Sequence, residues 1–226
     1  MNLLILGRGK TGSLVAEVAR TRRHHVRVLC ADENPDASAL TADCLSEINA
    51  VMDFTTPSAV IANVEACIRA GKSMVVGTTG WYEQVSRLRE EVLTAKTGFL
   101  YGSNFSIGMN LFFETVQASA PALTFEYSGQ IFERHHAQKK DAPSGTAITL
   151  QSILRESGGQ ELEITSFREG DVVGMHEVVF NSPHDRIYLC HDSKSRRGFA
   201  EGAVRAAEWL AGKQGFFAFH EIWKQL

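Results

Sequence analysis

A glycine-rich turn near the start of the chain constrains its fold more than any other feature. The turn consists of Gly7, Arg8, Gly9, Lys10, Thr11 and Gly12. It follows a short apolar segment, residues 2–6, which is typical of a buried parallel strand, and precedes residues 10–23, whose apolar side chains recur at helical spacing. A second apolar segment, residues 25–31, completes a strand–helix–strand unit. In such a unit the glycines let a dinucleotide pyrophosphate approach the helix N-terminus.

The acidic residue Asp32 bears on the choice of cofactor. It follows Gly12 by 20 residues and lies at the end of the second predicted strand. An acid at this place accepts hydrogen bonds from the adenosine ribose and repels a 2′-phosphate, which favours NADH over NADPH. Arg8 and Lys10 oppose that preference, because either side chain is able to reach a 2′-phosphate. We therefore expect NADH or NADPH as cofactor, with NADH slightly favoured; a glycine turn without a ligand is the alternative.

Strands and helices continue to alternate as far as residue 104. The predicted elements are strands at 50–55, 73–78 and 98–104 and helices at 57–70 and 82–96. Parallel neighbours must be joined by crossovers, so the pattern predicts an α/β fold with a Rossmann-type parallel sheet and helices on both faces. Ligands of such sheets bind beyond the carboxyl ends of the strands. The loops at those ends are either cofactor contacts or ordinary connections, and they comprise Gly77, Thr78, Thr79, Gly102, Ser103, Asn104 and Phe105.

After about residue 104 the pattern no longer alternates between strand and helix. The predicted elements are a helix at 108–120, an extended run at 123–136, a helix beginning after Asp141, strands at 163–170, 174–182 and 186–193, and a helix at 199–213. Turns rather than helices separate the later strands, which favours antiparallel pairing. We therefore expect a second, α+β domain that carries an open sheet, antiparallel or mixed.

Residues 133–147 concentrate groups that donate protons or bind anions. They read Glu-Arg-His-His-Ala-Gln-Lys-Lys-Asp-Ala-Pro-Ser-Gly-Thr-Ala. On an extended strand His135 and His136 point to opposite faces, and a histidine with a pKa of about 6.5 transfers protons near neutral pH. The Pro-Ser-Gly-Thr run favours a helix start near Gly145, whose free N–H groups bind a carboxylate, and Lys139 adds a positive charge. A solvated loop is the ordinary alternative.

The charge balance and the cysteines narrow the class of protein. A net charge of −3 and a sequence pI near 6.2 give no reason to expect nucleic acid or an anionic membrane as a partner. The apolar run at the N-terminus is too short for a signal or membrane segment. Four separated cysteines without a Cys-x-x-Cys pair, and eight histidines without a His-Glu-x-x-His motif, predict a reducing, cytoplasmic location and no metal site.

Residues 133–147 resemble the signature of the 4-hydroxy-tetrahydrodipicolinate reductases, also called dihydrodipicolinate reductases. The family pattern is roughly E-x-H-H-x-x-K-x-D-A-P-S-G-T-A, and every fixed position is present. Other segments resemble the family in the family's order, namely DFTTP, VVGTTGW, SNFSIGMN, FREGDVVGMHEVVF and GFAEGAVRAAEWL. The resemblance therefore covers nearly the whole chain.

The resemblance implies a role for each candidate in the signature. His135 is implied as the acid–base residue and Lys139 as the proton donor, while His136 contacts the substrate and Gly145 and Thr146 bind its carboxylate. The implied reaction is hydride transfer from a nicotinamide cofactor to a cyclic dicarboxylate in the diaminopimelate route to lysine. The implied cofactor contacts are Gly7 to Gly12, Gly77 to Thr79, and Gly102 to Phe105.

The resemblance also implies a domain organisation and an assembly. The family has a Rossmann domain, to which the C-terminal helices return, and an α+β domain whose open sheet builds a homotetramer. This implies a dinucleotide-binding domain at 1–104 plus 200–226, and a substrate-binding and oligomerisation domain at 105–199. Two features depart from the family, because the glycine turn is one residue tighter than usual and the segment after Asp32 is shorter. Both shape the adenosine pocket and leave the cofactor preference open.

Two other classes of function are compatible with individual motifs. A non-catalytic module could bind NAD(H) with its first domain and oligomerise through its second, in which case a dicarboxylate would not alter bound NADH fluorescence. A hydrolase could use Ser144, but no Gly-x-Ser-x-Gly elbow follows a strand. The concentration of proton donors and anion-binding groups in residues 133–147 favours the reductase, since a sensor does not need them.

Overall fold

The computed structural model describes every residue, Met1–Leu226, and the chain divides into two compact units. Unit 1 consists of Met1–Ile107 and Arg197–Leu226, and unit 2 consists of Gly108–Arg196. None of the helices combines the length and the apolar character that crossing a membrane requires.

Unit 1 contains a six-stranded parallel sheet. Its strands are β1 (Asn2–Leu6), β2 (His25–Leu29), β3 (Ala50–Asp53), β4 (Ser73–Val76), β5 (Gly98–Tyr101) and β10 (Gly215–Ala218). Its helices are α1 (Lys10–Thr21), α2 (Ala42–Leu45), α3 (Pro57–Arg69), α4 (Val85–Ala95), α7 (Arg197–Leu210) and α8 (Phe219–Ile222). The order β10-β5-β4-β3-β1-β2, with every pair parallel, confirms the predicted Rossmann-type sheet. Strand β10 is not predicted from the sequence, since it follows α7 outside the alternating pattern of residues 2–104.

The central strands of this sheet are buried on both faces. Leu3 and Ile5 of β1 pack into one apolar core with residues of α1 and α7, whereas Leu4 and Leu6 pack with α3 and α4 on the other face. Consecutive side chains of a strand point to opposite faces, so the continuous apolar run of β1 requires helices on both sides. The glycine turn follows directly at the carboxyl end of β1.

Unit 2 is built on a four-stranded sheet that is mixed rather than wholly antiparallel. Its elements are α5 (Ile107–Ser119), β6 (Ser128–His135), α6 (Gly145–Gly158), β7 (Ile164–Arg168), β8 (Met175–Asn181) and β9 (Arg186–Asp192). The order is β7-β6-β8-β9, with β6 and β7 parallel and the other pairs antiparallel. The preference for antiparallel pairing is wrong for β6 and β7, because α6 forms a crossover between them. The α+β class with an open mixed sheet is confirmed.

The extended run predicted at 123–136 is shorter in the structure. Residues Ala120–Thr124 form a short 3₁₀ helix with Pro121 in its first turn, and β6 begins only at Ser128. Leu123 is buried in the core of unit 2 together with Ile131 of β6. A proline at the first turn of a helix loses no hydrogen bond, which explains why this apolar segment is helical.

An ion-pair cluster centred on Glu208 joins α7 to the end of α1. Arg22 donates to both carboxylate oxygens of Glu208, from Nε at 2.9 Å and from Nη2 at 2.6 Å. The ring of His24 lies 2.8 Å from the same carboxylate through Nε2, and its Nδ1 is 3.2 Å from the terminal amine of Met1. Bidentate pairs of this kind are among the stronger charge-assisted hydrogen bonds.

Replacing Glu208 with Gln should lower the free energy of unfolding near pH 7 by about 1–2 kcal/mol. Burial acts to raise the pKa of Glu208, but the bonds from Arg22 and His24 outweigh it and hold the pKa below its usual range. Such a group stabilises the fold above its unfolded pKa of about 4.3, and this contribution is lost as the pH falls. Denaturant unfolding should therefore separate the two proteins near pH 7 but not near pH 3, whereas Glu90→Gln, on the exposed face of α4, should match the parent at both. An equal difference at both pH values would contradict the assignment.

Candidate active site

His135 is the last residue of β6 and is buried beside a carboxylate. Only 8% of His135 and none of Glu133 is exposed. The two residues share the inner face of the sheet because side chains two apart along a strand point the same way. Their contact is a short hydrogen bond between Nδ1 of His135 and Oε2 of Glu133. Because a carboxylate only accepts, the proton in this contact belongs to the histidine.

Arg168 holds the other side of the Glu133 carboxylate. Its Nη2 donates to Oε1 of Glu133 at 2.6 Å and to the backbone oxygen of Asp141 at 2.6 Å. The parallel register of β6 and β7, which sets His135 beside Arg168, makes this contact possible. Burial acts to raise the pKa of Glu133, but the hydrogen bonds from Arg168, Ser166 and His135 lower it overall. Glu133 is therefore an anion at neutral pH.

Burial lowers the pKa of His135, and the carboxylate of Glu133 opposes that shift. The neighbouring ring of His176, from β8, lies with its centroid 5.1 Å from the centroid of His135 at an angle of 74°. Burial lowers the pKa of His176 to about 3, so that this ring is neutral at physiological pH. The Oγ of Ser144 lies 3.1 Å from Nε2 of His176 and fixes its orientation.

The N-terminus of α6 offers open backbone donors close to these side chains in the sequence. Ser144 is the N-cap, and its Oγ accepts from the backbone N–H of Ala147 at 3.2 Å. The N–H groups of Gly145 and Thr146, at the first two positions, have no acceptor within the helix. A Cβ added at Gly145 would meet no atom within 4 Å, so the backbone is accessible there. An anion bound here would gain from these donors and from the helix dipole.

Lys139 and His136 lie in the connection between β6 and α6. The Nζ of Lys139 is 2.7 Å and 2.8 Å from the two carboxylate oxygens of Asp141, and its side chain is only 22% exposed. The hydrogen bond from Lys139 lowers the pKa of Asp141. His136 is half-buried and accepts, through its backbone oxygen, from the N–H of Lys139 at 3.1 Å. The predicted proton donor is thus an ion-paired ammonium held by the same turn that follows His135.

Glu133, His135 and His176 also present three atoms that lie within 4.8 Å of one another, as metal ligands do. Both oxygens of Glu133 are, however, already bonded, one to Arg168 and one to His135. The guanidinium of Arg168 places a positive charge beside Glu133, as a metal ion would. This donor set therefore suits a proton-transfer network rather than a metal ion.

The glycine turn of unit 1 has the backbone geometry that a dinucleotide requires. Gly7 has φ +98°, and a Cβ there would overlap the backbone oxygen of Phe54. A Cβ on Gly12 would overlap the carbonyl oxygen of Gly7, so only glycine lets α1 pack against the turn. Gly9 is the N-cap of α1, has no side-chain cap and faces open space. A pyrophosphate could approach this N-terminus closely, so the residues fit the cofactor.

A pocket of about 350 Å³ adjoins this turn, and its lining includes Gly7, Arg8 and Gly9. The segment after β2 contributes Cys30, Ala31, Asn34, Pro35 and Asp36. Asp32 is exposed in a short 3₁₀ turn and does not line the pocket, whereas Asp36 does. Lys10 and Thr11 begin α1 outside the pocket lining.

Asp53, at the end of β3, organises the loops around that pocket. Its Oδ1 accepts from the N–H and Oγ1 of Thr55 at 2.9 Å and 2.7 Å and from Oγ1 of Thr78 at 2.8 Å. Its Oδ2 accepts from Nδ2 of Asn63 at 2.8 Å, and Asn63 in turn accepts from Asn34 at 2.9 Å. The carboxylate is fully buried. The loops after β3 and β4 and the helix α3 therefore share this carboxylate as an acceptor, and Asn63 links it to the segment after β2.

The remaining predicted cofactor contacts differ in what they expose. Thr78 is buried and directs its hydroxyl to Asp53, so its side chain supports the loop, whereas Thr79 is exposed. Phe105 is fully buried and packs on Phe199 and Phe219, which leaves only its backbone for a ligand. The other four differ as well. Ser103 is exposed, and the side-chain oxygen of Asn104 accepts from the N–H of Ser106. Gly77 and Gly102 have no room for a Cβ, which would meet Phe54 and Phe219, respectively.

Sequence reasoning assigned no role to Glu133, Arg168, His176 or Asp53. The spacing of Glu133 and His135 is a usable signal, since residues two apart on a strand share a face. Arg168 and His176 lie on other strands, and no local pattern connects them to His135.

Comparison with known proteins gives a consistent result across the chain. Family models described as "Dihydrodipicolinate reductase, N-terminus" and "Dihydrodipicolinate reductase, C-terminus" match residues 1–105 and 108–222. A 4-hydroxy-tetrahydrodipicolinate reductase of Christiangramia forsetii is 38% identical over 100% of this chain and 99% of its own length. A protein of the same name from Methanococcoides burtonii is 36% identical over 88% of this chain and 80% of its own length.

A solved structure has a similar fold. The dipicolinate-bound dihydrodipicolinate reductase from Paenisporosarcina sp. TG-14 has a TM-score of 0.79 and 23% sequence identity. The match covers 98% of this chain and 99% of that chain.

Proposed function

Because the chain belongs to the dihydrodipicolinate reductase family, we propose that it reduces 4-hydroxy-tetrahydrodipicolinate to tetrahydrodipicolinate with NADH or NADPH, with loss of the hydroxyl as water. This reaction lies on the diaminopimelate route to lysine. The observation that carries the proposal is the combination, within unit 2, of a buried Glu133–His135 pair and an accessible helix N-terminus at Gly145.

Unit 2 is the proposed site of the substrate. Gly145 and Thr146 bind one carboxylate with their backbone N–H groups, and His136 contacts the ring. The dipicolinate bound to the Paenisporosarcina reductase is a cyclic dicarboxylate of the same class. Hydride addition to an electron-poor ring carbon leaves an anion that must take up a proton. His135 acts there as the acid–base residue, and Lys139 supplies the proton from an ammonium held by Asp141.

Unit 1 is the proposed site of the cofactor, which supplies the hydride when bound. Gly7, Gly9 and Gly12 hold the pyrophosphate against the start of α1. Gly77, Thr79 and the backbone from Gly102 to Phe105 complete the contacts at the ends of β4 and β5. A protein that only senses NAD(H) does not need the proton-transfer groups of Glu133, His135 and Lys139.

NADH is the proposed preferred cofactor, because the segment after β2 carries three carboxylates, Asp32, Glu33 and Asp36, against the single guanidinium of Arg8 in the turn. Replacing Arg8 with Ala should lower kcat/KM for NADPH about tenfold, equivalent to about 1.4 kcal/mol, and change that for NADH much less. Initial rates with both cofactors measure this. Equal losses with NADH and NADPH would show that Arg8 does not sense the 2′-phosphate.

A homotetramer is the proposed assembly, formed through the uncovered face of the sheet in unit 2. This face presents Phe132, Arg134, Phe167, Met175, Val179 and Tyr188 around a concavity of about 680 Å³. Phe167 is 40% exposed and Tyr188 is 58% exposed. Aromatic side chains, methionine and arginine are enriched in interfaces between chains, and this face carries them beside the charged Glu177 and Arg186.

Replacing Tyr188 with Asp should dissociate the assembly into smaller species, because it removes an aromatic contact and places a carboxylate that must be desolvated in the interface. Light scattering after gel filtration should give four chains for the parent and fewer for the variant. Leu93→Asp on α4, which also replaces an exposed apolar residue, is the matched control and should stay tetrameric. A monomeric parent would exclude the proposed assembly.

A cytoplasmic location is proposed from the thiols. Cys30, Cys44, Cys67 and Cys190 are all free, which fits a reducing compartment.

The proposal is tested by initial rates on enzymatically generated 4-hydroxy-tetrahydrodipicolinate. We expect substrate-dependent oxidation of NADH or NADPH, and inhibition by pyridine-2,6-dicarboxylate. An absence of turnover with both cofactors, under conditions in which a known reductase of the family is active, would refute the proposal.

A further inference from the structure

The two ring nitrogens of His135 have different surroundings. Nδ1 is bonded to the buried carboxylate of Glu133, which Arg168 holds from the other side. Nε2 faces Gly174, where a Cβ would lie 3.1 Å from it. Such a distance is shorter than an ordinary van der Waals contact, so any side chain at residue 174 would press on this nitrogen. One nitrogen is therefore fixed, and the other is left uncovered by a glycine.

We propose that Glu133 and Arg168 act as positioning residues that keep the proton of neutral His135 on Nδ1, and that Gly174 keeps Nε2 open as the nitrogen that exchanges a proton with the substrate. The role of Nε2 toward the substrate rests on the proposed function. The position of the proton on Nδ1 is a property of the protein without substrate and can be tested on its own.

The charges around His135 come from every neighbouring element. They are Glu133 on its own strand, Lys139 in the following turn, Arg168 on β7 and the neutral His176 on β8. Lys139 and Arg168 both disfavour a positive charge on the ring, and burial, the largest effect, acts in the same direction. Glu133 is the one group among them that stabilises the imidazolium. A proton taken up at Nε2 therefore depends on the anion at Nδ1.

The contacts of Arg168 indicate that it positions the Glu133 carboxylate and does not only form a structural ion pair. Its Nη2 bridges Glu133 and the backbone oxygen of Asp141, so one guanidinium ties the carboxylate to the turn that carries Lys139. The carboxylate is thereby prevented from rotating away from Nδ1. Lysine at the same position keeps the charge but lacks the planar fork.

The first test is the tautomer of His135 in the parent protein. Nitrogen-15 spectra of histidine-labelled protein contain eight histidines, and His135 is assigned by its absence in His135→Gln. We expect Nδ1 to remain protonated in the neutral ring and Nε2 to be the nitrogen that titrates. A neutral ring that carries its proton on Nε2 would overturn the proposal, whether or not the protein proves to be a reductase.

The second test replaces Glu133 with Gln, which keeps the shape and removes the charge. We expect the pKa of His135 to fall in the same spectra, because the imidazolium loses its counter-ion. We also expect kcat to fall by roughly a hundredfold or more, with KM for the substrate little changed, since an imidazole held in the wrong tautomer cannot exchange the proton. Arg168→Lys should give a smaller effect of the same kind. Glu161→Gln, an exposed acid before β7, should change neither quantity.

A purely structural role for Glu133 would lower the melting temperature but leave the titration of His135 and kcat unchanged, and this result would overturn the proposal. Gly174→Ala provides an independent variant if Glu133→Gln does not fold. It should retain the Nδ1 proton while lowering kcat at least about tenfold, because the added methyl covers Nε2. Parent-like turnover in Gly174→Ala would refute the assignment of Nε2. Absence of reductase activity in the parent, with the Nδ1 proton observed, would refute the proposed function and leave the positioning pair standing.

Discussion

Replacing His135 with Gln should lower kcat by about 10²- to 10⁴-fold, the usual contribution of a positioned acid–base group. The side chain is 8% exposed and held by Glu133, so the loss reflects the missing proton transfer rather than a missing surface contact. Lys139→Ala should reduce kcat by a similar order, because it removes the ammonium that the Asp141 carboxylate holds at 2.7 Å. Steady-state rates with saturating cofactor measure both effects.

Lys140→Ala is the matched control for these variants. Lys140 is the neighbouring lysine and is exposed, and its removal should leave kcat within about twofold of the parent, as is usual for surface substitutions. Binding of pyridine-2,6-dicarboxylate, measured by calorimetry, should survive in His135→Gln, since the backbone donors at Gly145 and Thr146 are intact. Parent-like turnover in both His135→Gln and Lys139→Ala would remove these residues from the chemistry.

Replacing Asp53 with Ala should lower the free energy of unfolding by about 3–5 kcal/mol, because its buried donor partners each lose an acceptor at a cost of about 1–3 kcal/mol. Those donors belong to Thr55, Thr78 and Asn63. Thr55 and Asn63 line the pocket beside the glycine turn, so the dissociation constant for NADH should rise at least about tenfold. Denaturant unfolding and titration of NADH fluorescence measure the two effects.

Asp43→Ala in α2 is the control for Asp53, since it removes an exposed aspartate from the same unit. It should change stability by less than about 0.5 kcal/mol and leave NADH binding unaltered. A variant at Asp53 that unfolds and binds NADH like the parent would show that the hydrogen bonds of this carboxylate do not organise the pocket.

The sequence predicts the architecture of unit 1 well because its signals are local. Strands β1, β3, β4 and β5 are short, largely apolar runs bounded by glycine or a polar loop, and the helices α1, α3, α4 and α7 each show a helical period. The strand β10 is not predicted, because it follows α7 outside the alternating pattern of residues 2–104 and pairs with the sequence-distant β5. In unit 2 the pairing of β6 with β7 depends on the crossover through α6, which the turns between the later strands do not reveal.

The site is predictable only in part, because some of its contacts join segments that are far apart in the sequence. The spacing of His135, Lys139 and Gly145 follows from one continuous segment and is visible in the sequence. Arg168 reaches Glu133 only through the register of two strands that are far apart in sequence. Asp53 likewise appears as the end of an apolar strand, and its role depends on Thr78 in the loop after β4 and on Asn63 of α3, which Asn34 links to the segment after β2.

The reaction assigned to this chain is hydride transfer from a nicotinamide to a cyclic dicarboxylate. The most direct measurement is mass spectrometry of the product formed with NADH that carries deuterium at both C4 positions of the nicotinamide. We expect one deuterium in each molecule of tetrahydrodipicolinate, and none in product formed with unlabelled cofactor. Unlabelled product, or oxidation of NADH that does not depend on the dicarboxylate, would contradict it.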